Sequence, residues 1–178
     1  MRSDPVSRRP DIVDRHQLHG SQCPADRPSP ISRVSRVTDF SLAIAPRYAE
    51  IDQQGVVFNG HYLTWFDEAC TGLLDSLGIG YPALNADGYD FQVVHAEIDF
   101  AAPVRWRDEV RVEARCTRVG TASFSIGFTV LARSGTDAER VAVRGHNVYV
   151  LVSTTDWAKR TIPDRLRSAL DVSAASDR

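Results

Sequence analysis

The apolar residues of this chain recur with two different periods. From residue 61 to 77 they recur every three or four positions and cover most of a helix circumference, which predicts one long helix buried on several sides. Elsewhere they recur at every second position, which is the pattern of half-buried β-strands. Strands are predicted over five ranges: 37–45, 91–100, 109–119, 122–133 and 139–152.

The order of these elements predicts an α+β fold, because one strand and the long helix are followed by four strands. Short turns join the last four strands, and such connections are typical of an antiparallel sheet and exclude parallel βαβ units. A helix that is apolar on most sides must also be covered on most sides. We therefore expect a five-stranded antiparallel sheet wrapped around the one long helix.

Residues that favour caps and turns mark the expected ends of the helices. Asn59 or His61 would cap the start of the long helix, and Gly78 would end it. Between 80 and 88 we expect a connector with one helical turn. The segment after Pro163 predicts a short terminal helix, because proline suits the first turn of a helix.

The first 36 residues differ from the rest of the chain in composition. They carry seven Arg, four Asp and five Pro but very few large apolar residues, so they cannot form a packed core. We expect a disordered tail over 1–36, a folded domain over 37–170 and a second disordered tail over 171–178. His16 and His19 have the spacing of a metal-binding pair, but solvated histidines are the more usual interpretation of so short a tract.

Length and charge exclude several functional classes. The chain has 178 residues and a formal net charge of −2, so it favours one domain and is not a strongly basic protein that binds nucleic acid through phosphates. It has neither the ~18-residue apolar run of a membrane-spanning helix nor the apolar N-terminal core of a secretion signal. We therefore expect no nucleic-acid partner and no membrane partner.

Three cysteines are too few and too widely spaced to predict a disulfide framework or a zinc site. Cys70 falls in the helical pattern and Cys116 in a strand pattern, so both are predicted to be buried thiols. Cys23 lies in the predicted tail. Free thiols favour a reducing compartment, and the cytoplasm is the expected location.

The loop before the long helix concentrates the candidate chemistry. Asp52 is a carboxylate that would serve as a nucleophile or general base, although capping a turn in its own loop is the commoner role for an Asp at such a spacing. Asn59 and Gly60 lead into the helix, whose N-terminal backbone N–H groups favour developing negative charge. Spacing alone leaves the role of Asp52 open.

The residues from Arg47 to Phe66 read RYAEIDQQGVVFNGHYLTWF. This run resembles the hot-dog fold acyl-CoA thioesterases of the 4-hydroxybenzoyl-CoA thioesterase type, in which an Asp, two spacers, a Gly and an apolar triplet lead into a helix with a Tyr-Leu-x-Trp-Phe-like run. The resemblance covers roughly residues 37–168. Weaker matches follow in three later segments, which are 98–108, 119–123 and 162–164.

The resemblance implies a hot-dog fold and the hydrolysis of a thioester to a free acid and coenzyme A. Asp52 would be the nucleophile or general base, and the backbone N–H of Asn59, with Gly60, would donate to the thioester oxygen. Tyr48 would support the site. Some branches of the family carry His or Tyr where this chain has Asn59, so the resemblance implies no side-chain role at that position.

The resemblance also implies the residues that contact substrate, which would be Gly55, Val57, Phe58 and His61. A pocket with this apolar lining suits aromatic and aliphatic acyl groups alike. The carrier is either coenzyme A or an acyl-carrier protein, and no cofactor is required. The expected assembly is a homodimer or homotetramer with the site at the subunit interface.

Several other residues allow two interpretations. The histidines at 61, 95 and 146 lack the spacing of a metal site. Arginines 105, 107, 111, 115 and 118 either hold the phosphates of coenzyme A or, as is more usual, form an exposed polar face. Glu68 corresponds to a glutamate that a second hot-dog branch uses, but Asp52 already fills that role, so a solvated or structural patch is expected.

Two other functions remain compatible with this pattern. The first is a non-catalytic protein that binds acyl-CoA or acyl-carrier protein and keeps the cleft without turnover. The second is a hot-dog dehydratase, but the Asp/His motif of that chemistry is not found here.

Overall fold

The computed structural model describes residues 40–174, with side chains described as far as Asp171. The predicted N-terminal tail over 1–36 lies outside the described residues, and so do His16, His19 and Cys23.

The described chain forms five strands and three α-helices in the order that the sequence predicts, with α2 added. They are β1 (Phe40–Ile44), α1 (His61–Ser76), α2 (Tyr81–Ala86), β2 (Tyr89–Phe100), β3 (Glu109–Val119), β4 (Ser123–Arg133), β5 (Arg140–Ser153) and α3 (Asp164–Ala174). A single 3₁₀ turn over Tyr48–Glu50 lies between β1 and α1. The long helix and the four later strands start and end within two residues of their predicted bounds.

All five strands belong to one antiparallel sheet with the order β1-β3-β4-β5-β2. The predicted α+β architecture is confirmed. β1 and β2 are the two edges, and β2 carries a bulge between Val93 and His95 where it pairs with β5. A bulge bends and twists its strand, so this edge curves away from the plane of the central strands.

Helix α1 packs across one face of the sheet, mainly against β1 and β3. Its ring of Phe66 stacks on Phe128 of β4 with centroids 4.5 Å apart. Gly145 of β5 permits this approach, because a Cβ there would lie 2.2 Å from the Phe66 ring. The helix buries seven residues, as its apolar pattern predicts: Tyr62, Trp65, Phe66, Ala69, Cys70, Leu73 and Leu74.

The start of α1 corrects the predicted cap. The N-cap is Gly60, which has helical backbone angles, and neither Asn59 nor His61 makes a side-chain cap. A capping side chain requires an extended backbone at its own residue, whereas this helix begins from a backbone turn in which the Phe58 carbonyl accepts the His61 N–H at 3.0 Å.

Two other segments are more helical than the sequence predicts. The connector over 80–88 contains the six-residue helix α2, which packs Leu84 into the core, where a single turn is predicted. Helix α3 continues to Ala174, four residues beyond residue 170, where the folded domain is predicted to end. Tertiary packing supports both helices, since Leu166 and Leu170 of α3 are also buried.

The two described cysteines, Cys70 and Cys116, are buried, which confirms that prediction. Burial raises the pKa of the Cys70 thiol to about 12 and that of Cys116 to about 11. Within residues 40–174 no helix has the length and apolar character needed to cross a membrane.

Candidate active site

The loop before α1 is a tight hairpin held by backbone hydrogen bonds. Ile51 and Val57 form an antiparallel bridge, and inside it the Asp52 N–H donates to the Val56 carbonyl at 2.8 Å. The Gly55 N–H closes the turn onto the Asp52 carbonyl at 3.0 Å. Gly55 has φ +75°, a left-handed conformation that favours glycine, so this residue sets the shape of the loop.

The Asp52 carboxylate caps this hairpin with one of its two oxygens. Oδ1 accepts the Gln54 N–H at 2.7 Å and, more weakly, the Val56 N–H at 3.4 Å. Within the described part of the chain, Oδ2 has no hydrogen-bond donor. The turn-capping role and a chemical role are therefore compatible, because one oxygen fixes the carboxylate while the other is available to a ligand.

Asp52 lies in the wall of a cavity of about 740 Å³. One side of the cavity is the hairpin and the start of α1, and the other is the end of β2 with the residues after it. The lining consists of Asp52, Gln53, Gln54, Val56, Val57, Phe58, Asn59, Tyr62, Phe100, Ala101, Ala102 and Pro103. A wall with a few polar groups among apolar side chains is typical of a small-molecule site.

The N-terminus of α1 opens into the same cavity. Among residues 40–174, no acceptor is found for the backbone N–H groups of Asn59 and Gly60, whereas the His61 N–H is bonded to Phe58. Unpaired N–H groups at a helix start carry partial positive charge, so they favour an anionic oxygen placed nearby. The cavity thus combines a carboxylate with donors for negative charge.

The structure brings together four of the eight residues that the sequence singles out, since Asp52, Val57, Phe58 and Asn59 all line the cavity. Three others, Gly55, Gly60 and His61, belong to the same hairpin and helix start but lie outside the lining. At Gly60 a Cβ would meet the Phe58 ring at 3.2 Å, so glycine lets that ring pack against the helix start.

Tyr48 lies apart from the cavity lining. Its side chain is 76% exposed, and its ring packs edge-on against Trp106 with centroids 5.5 Å apart. It therefore faces solvent beside the segment that follows the cavity's second wall.

Glu50 is a residue of the site region that sequence reasoning missed. It is only 3% exposed, and Oε1 accepts hydrogen bonds from Arg47 Nε at 3.0 Å and Nη2 at 2.7 Å while Oε2 accepts the Arg47 N–H at 2.8 Å. Burial alone would raise the pKa of Glu50. The hydrogen bonds from Arg47 and Trp65 and the positive charge of Arg47 have the larger combined effect, so the pKa of Glu50 is lowered. The i, i+3 spacing of Arg47 and Glu50 is the feature of the sequence that could have predicted this ion pair.

Tyr62 is a second missed residue, because its helical position indicated a core aromatic. It is buried, lines the cavity, and contacts the Phe100 ring edge-on at 5.5 Å. Burial raises its pKa to about 12, so the phenol stays protonated at neutral pH. Among the described residues, no group of three or more His, Cys, Asp or Glu is placed to hold a metal ion.

Comparison with known proteins identifies relatives of this fold. Residues 54–139 match the sequence profile of the Thioesterase superfamily. The 1,4-dihydroxy-2-naphthoyl-CoA hydrolase of Synechococcus elongatus is 24% identical over 140 residues, which are 78% of this chain and 99% of that protein.

Two solved structures share the fold. A gentisyl-coenzyme A thioesterase superposes with a TM-score of 0.65 at 26% identity, covering 73% of this chain and 98% of that chain. A mutant 4-hydroxybenzoyl-CoA thioesterase in complex with 4-hydroxybenzoyl-CoA gives a TM-score of 0.66 at 15% identity. The match covers 73% of this chain and 96% of that chain. With the sheet topology, these findings show a hot-dog fold. The proteins that this chain resembles, over residues 54–139 by profile and over most of the domain by structure, are thioesterases, which are thioester hydrolases by class.

Proposed function

We propose that this protein hydrolyses an acyl-CoA thioester in the cavity between the hairpin and the end of β2. The observation that carries the proposal is that the carboxylate of Asp52 and the unpaired N–H groups at the start of α1 line or adjoin one cavity. Thioester hydrolysis needs both groups, because one activates the attacking oxygen and the other stabilises the oxyanion.

The chemistry follows from these two groups. As general base, Asp52 takes a proton from water, whose oxygen attacks the thioester carbonyl carbon. The oxyanion that forms accepts hydrogen bonds from the Asn59 N–H, with Gly60 beside it, and the C–S bond then breaks. The thiolate takes up the proton to give coenzyme A and the free acid. As nucleophile, Asp52 would instead attack the carbonyl, expel the thiolate and form an anhydride that water hydrolyses.

The acyl group that best fits the cavity is aromatic. Phe58, Tyr62 and Phe100 contribute rings to the lining, and aromatic rings pack well edge-on or offset against one another. The relatives named above act on, or bind, naphthoyl, gentisyl or hydroxybenzoyl thioesters. We therefore propose an aromatic acyl-CoA as the substrate class, of the 4-hydroxybenzoyl-CoA thioesterase type.

The assembly we propose is a homodimer that forms along the edge strand β2, or a homotetramer built from two such dimers. Val93 and Val94 are about half exposed on this strand, which lies at an edge of the sheet, whereas α1 packs mainly against β1 and β3. An exposed apolar edge is stabilised by pairing with a second strand. A partner there would also lie beside Phe100 at the cavity. The cytoplasm remains our prediction for the compartment, in keeping with the buried cysteines Cys70 and Cys116.

The test is release of free coenzyme A from a panel of aromatic, short-chain and long-chain acyl-CoAs. Wild type is compared with Asp52→Asn, whose amide oxygen can still accept the Gln54 and Val56 N–H groups. We expect turnover to be highest for aromatic thioesters and at least ~100-fold slower in the variant. An unchanged melting temperature of Asp52→Asn, measured by circular dichroism, would show that turnover falls because the carboxylate is missing and not because the fold is weakened.

The matched control is Asp75→Asn, because Asp75 is an exposed carboxylate at the far end of α1. It is expected to keep the wild-type rate. Full activity in Asp52→Asn would contradict the assignment. Tight binding of acyl-CoA by wild type without any thiol release would instead identify a non-catalytic binder.

A further inference from the structure

An exposed aromatic pair lies next to the cavity and is not used by the proposed mechanism. It consists of Tyr48, which is 76% exposed, and Trp106, which is 46% exposed. The rings meet edge-on with centroids 5.5 Å apart, so each holds the other in place. Because the rings are already fixed, a flat ligand that stacks on them loses little additional side-chain freedom.

The chain path places this pair near the mouth of the proposed active site. The Val57 N–H donates to the Val104 carbonyl at 2.8 Å, so the hairpin and the segment after β2 run side by side. Pro103 is the last cavity-lining residue of that segment, and Trp106 follows it by three residues. Three residues of extended chain span at most about 11 Å between Cα atoms. The pair is therefore adjacent to the cavity wall and outside it.

Positive charge surrounds the pair. The guanidinium of Arg107 lies 4.3 Å from the centroid of the Trp106 ring, and Arg105 precedes that ring; both arginines are exposed. Within residues 40–174, no carboxylate forms an ion pair with either guanidinium. The nearby Asp108 carboxylate is instead buried and bonded to Arg140 and Ser134. By contrast, Arg111 is bonded to both Glu113 and Glu139.

From this arrangement we infer that Tyr48, Trp106, Arg105 and Arg107 form a docking platform for the nucleotide end of coenzyme A. A purine base stacks on aromatic faces, and guanidinium groups suit phosphates because they donate in a planar fork. The pantetheine arm separates the base from the thioester, so a nucleotide held outside the cavity leaves the thioester inside it. An acyl-carrier protein has no adenine, so the platform selects coenzyme A as the carrier. This inference rests on the proposed thioesterase function.

The first test compares one aromatic acyl group carried by coenzyme A and by pantetheine, which lacks the nucleotide. For wild type we expect kcat/KM to be higher with coenzyme A, through a lower KM. In Trp106→Ala the ratio of the two kcat/KM values should fall about tenfold, since base stacking on an aromatic side chain is lost. A ratio equal to that of wild type overturns the inference.

The matched control is Trp157→Ala. Trp157 is also exposed, at 64%, but it lies after β5, away from the cavity lining. Its variant should keep the wild-type ratio. A Trp106→Ala variant that changes the oligomeric state without changing the ratio also overturns the inference, because the platform would then be a contact between copies.

A second test needs no turnover. Calorimetry with adenosine 3′,5′-bisphosphate, the nucleotide end of coenzyme A, should show binding to wild type that weakens about tenfold in Trp106→Ala. In the double variant Arg105→Gln/Arg107→Gln, the preference for the bisphosphate over adenosine should disappear. Bisphosphate binding without hydrolysis of any thioester would support the platform and refute the proposed function. Hydrolysis with no bisphosphate binding would support the function and refute the platform.

Discussion

The Glu50 carboxylate lies 3.5 Å from the indole Nε1 of Trp65 and joins the hairpin that carries Asp52 to helix α1. Arg47 holds the same carboxylate from the other side, and the Glu50 carbonyl accepts the Phe58 N–H at 2.9 Å. One buried residue therefore contacts the start of the hairpin, its end and the helix. Asp52 follows Glu50 by two residues, so this contact fixes the position of the proposed catalytic carboxylate relative to the helix start.

Replacing this carboxylate by its neutral isostere should weaken the protein measurably. We expect Glu50→Gln to lower the free energy of unfolding by about 2 kcal/mol, because hydrogen bonds to a charged group are lost and Arg47 is left without its counter-ion. Urea unfolding followed by circular dichroism measures the loss. Asp75→Asn, which alters an exposed carboxylate at the far end of α1, should change the same quantity by less than about 0.5 kcal/mol.

The same residue predicts a dependence of stability on pH. The folded protein lowers the pKa of Glu50 below its ordinary 4.5, so the stabilisation is complete above that value and is lost as the pH falls through the folded pKa. The difference in unfolding free energy between wild type and Glu50→Gln should thus be constant at neutral pH and shrink below about pH 4.5. A difference that stays the same down to pH 3 would contradict this.

Gly55 should tolerate extra volume but not a restricted backbone. Its φ is +75°, yet a Cβ there would meet nothing within 4 Å. We expect Gly55→Ala to cost about 1–2 kcal/mol of unfolding free energy and Gly55→Asn clearly less, since asparagine enters the left-handed region more readily. Thermal melts of both variants measure this. Equal losses in the two variants would indicate a steric cause.

The edge strand β2 should govern assembly. Val94 is 59% exposed on it, so a charge at that position would oppose pairing with a second copy. We expect wild type to be a dimer or tetramer and Val94→Arg to be a monomer by light scattering, with thioesterase turnover lost in parallel. Ser41→Arg, on the opposite edge strand β1, should leave the mass unchanged. A monomeric wild type would refute the proposed assembly.

Much of the fold could be predicted because its strands and helix carry strong local patterns. β3 runs from Glu109 to Val119 as the alternation predicts, and α1 begins at His61. The helix in the connector over 80–88 was predicted too short. Its sequence with Pro82 favours a single turn, whereas burial of Leu84 stabilises a six-residue helix. The predicted N-cap of α1 was wrong, because the backbone at Gly60 adopts a helical conformation that residue types alone do not reveal.

The candidate site was less predictable, since its contacts join residues that are distant along the chain. Asp52 and Asn59 were predicted because both lie in one local motif, and both line the cavity. Glu50 was missed, because a glutamate in a polar loop is usually exposed, and only Trp65, fifteen residues later, shows why it is buried. Trp106 pairs with Tyr48 across an even longer separation, which no spacing rule covers.

The burial of Cys70 and Cys116 makes the two thiols reporters of opening of the core. Their raised pKa values, about 12 and about 11, leave almost no reactive thiolate in the native state at neutral pH. In a Cys23→Ser variant, only Cys70 and Cys116 remain to be alkylated. The rate of alkylation would therefore measure how often the protein opens locally and exposes α1 or β3. Labelling with and without a bound acyl-CoA analogue would then measure how strongly the ligand suppresses such openings, one structural element at a time.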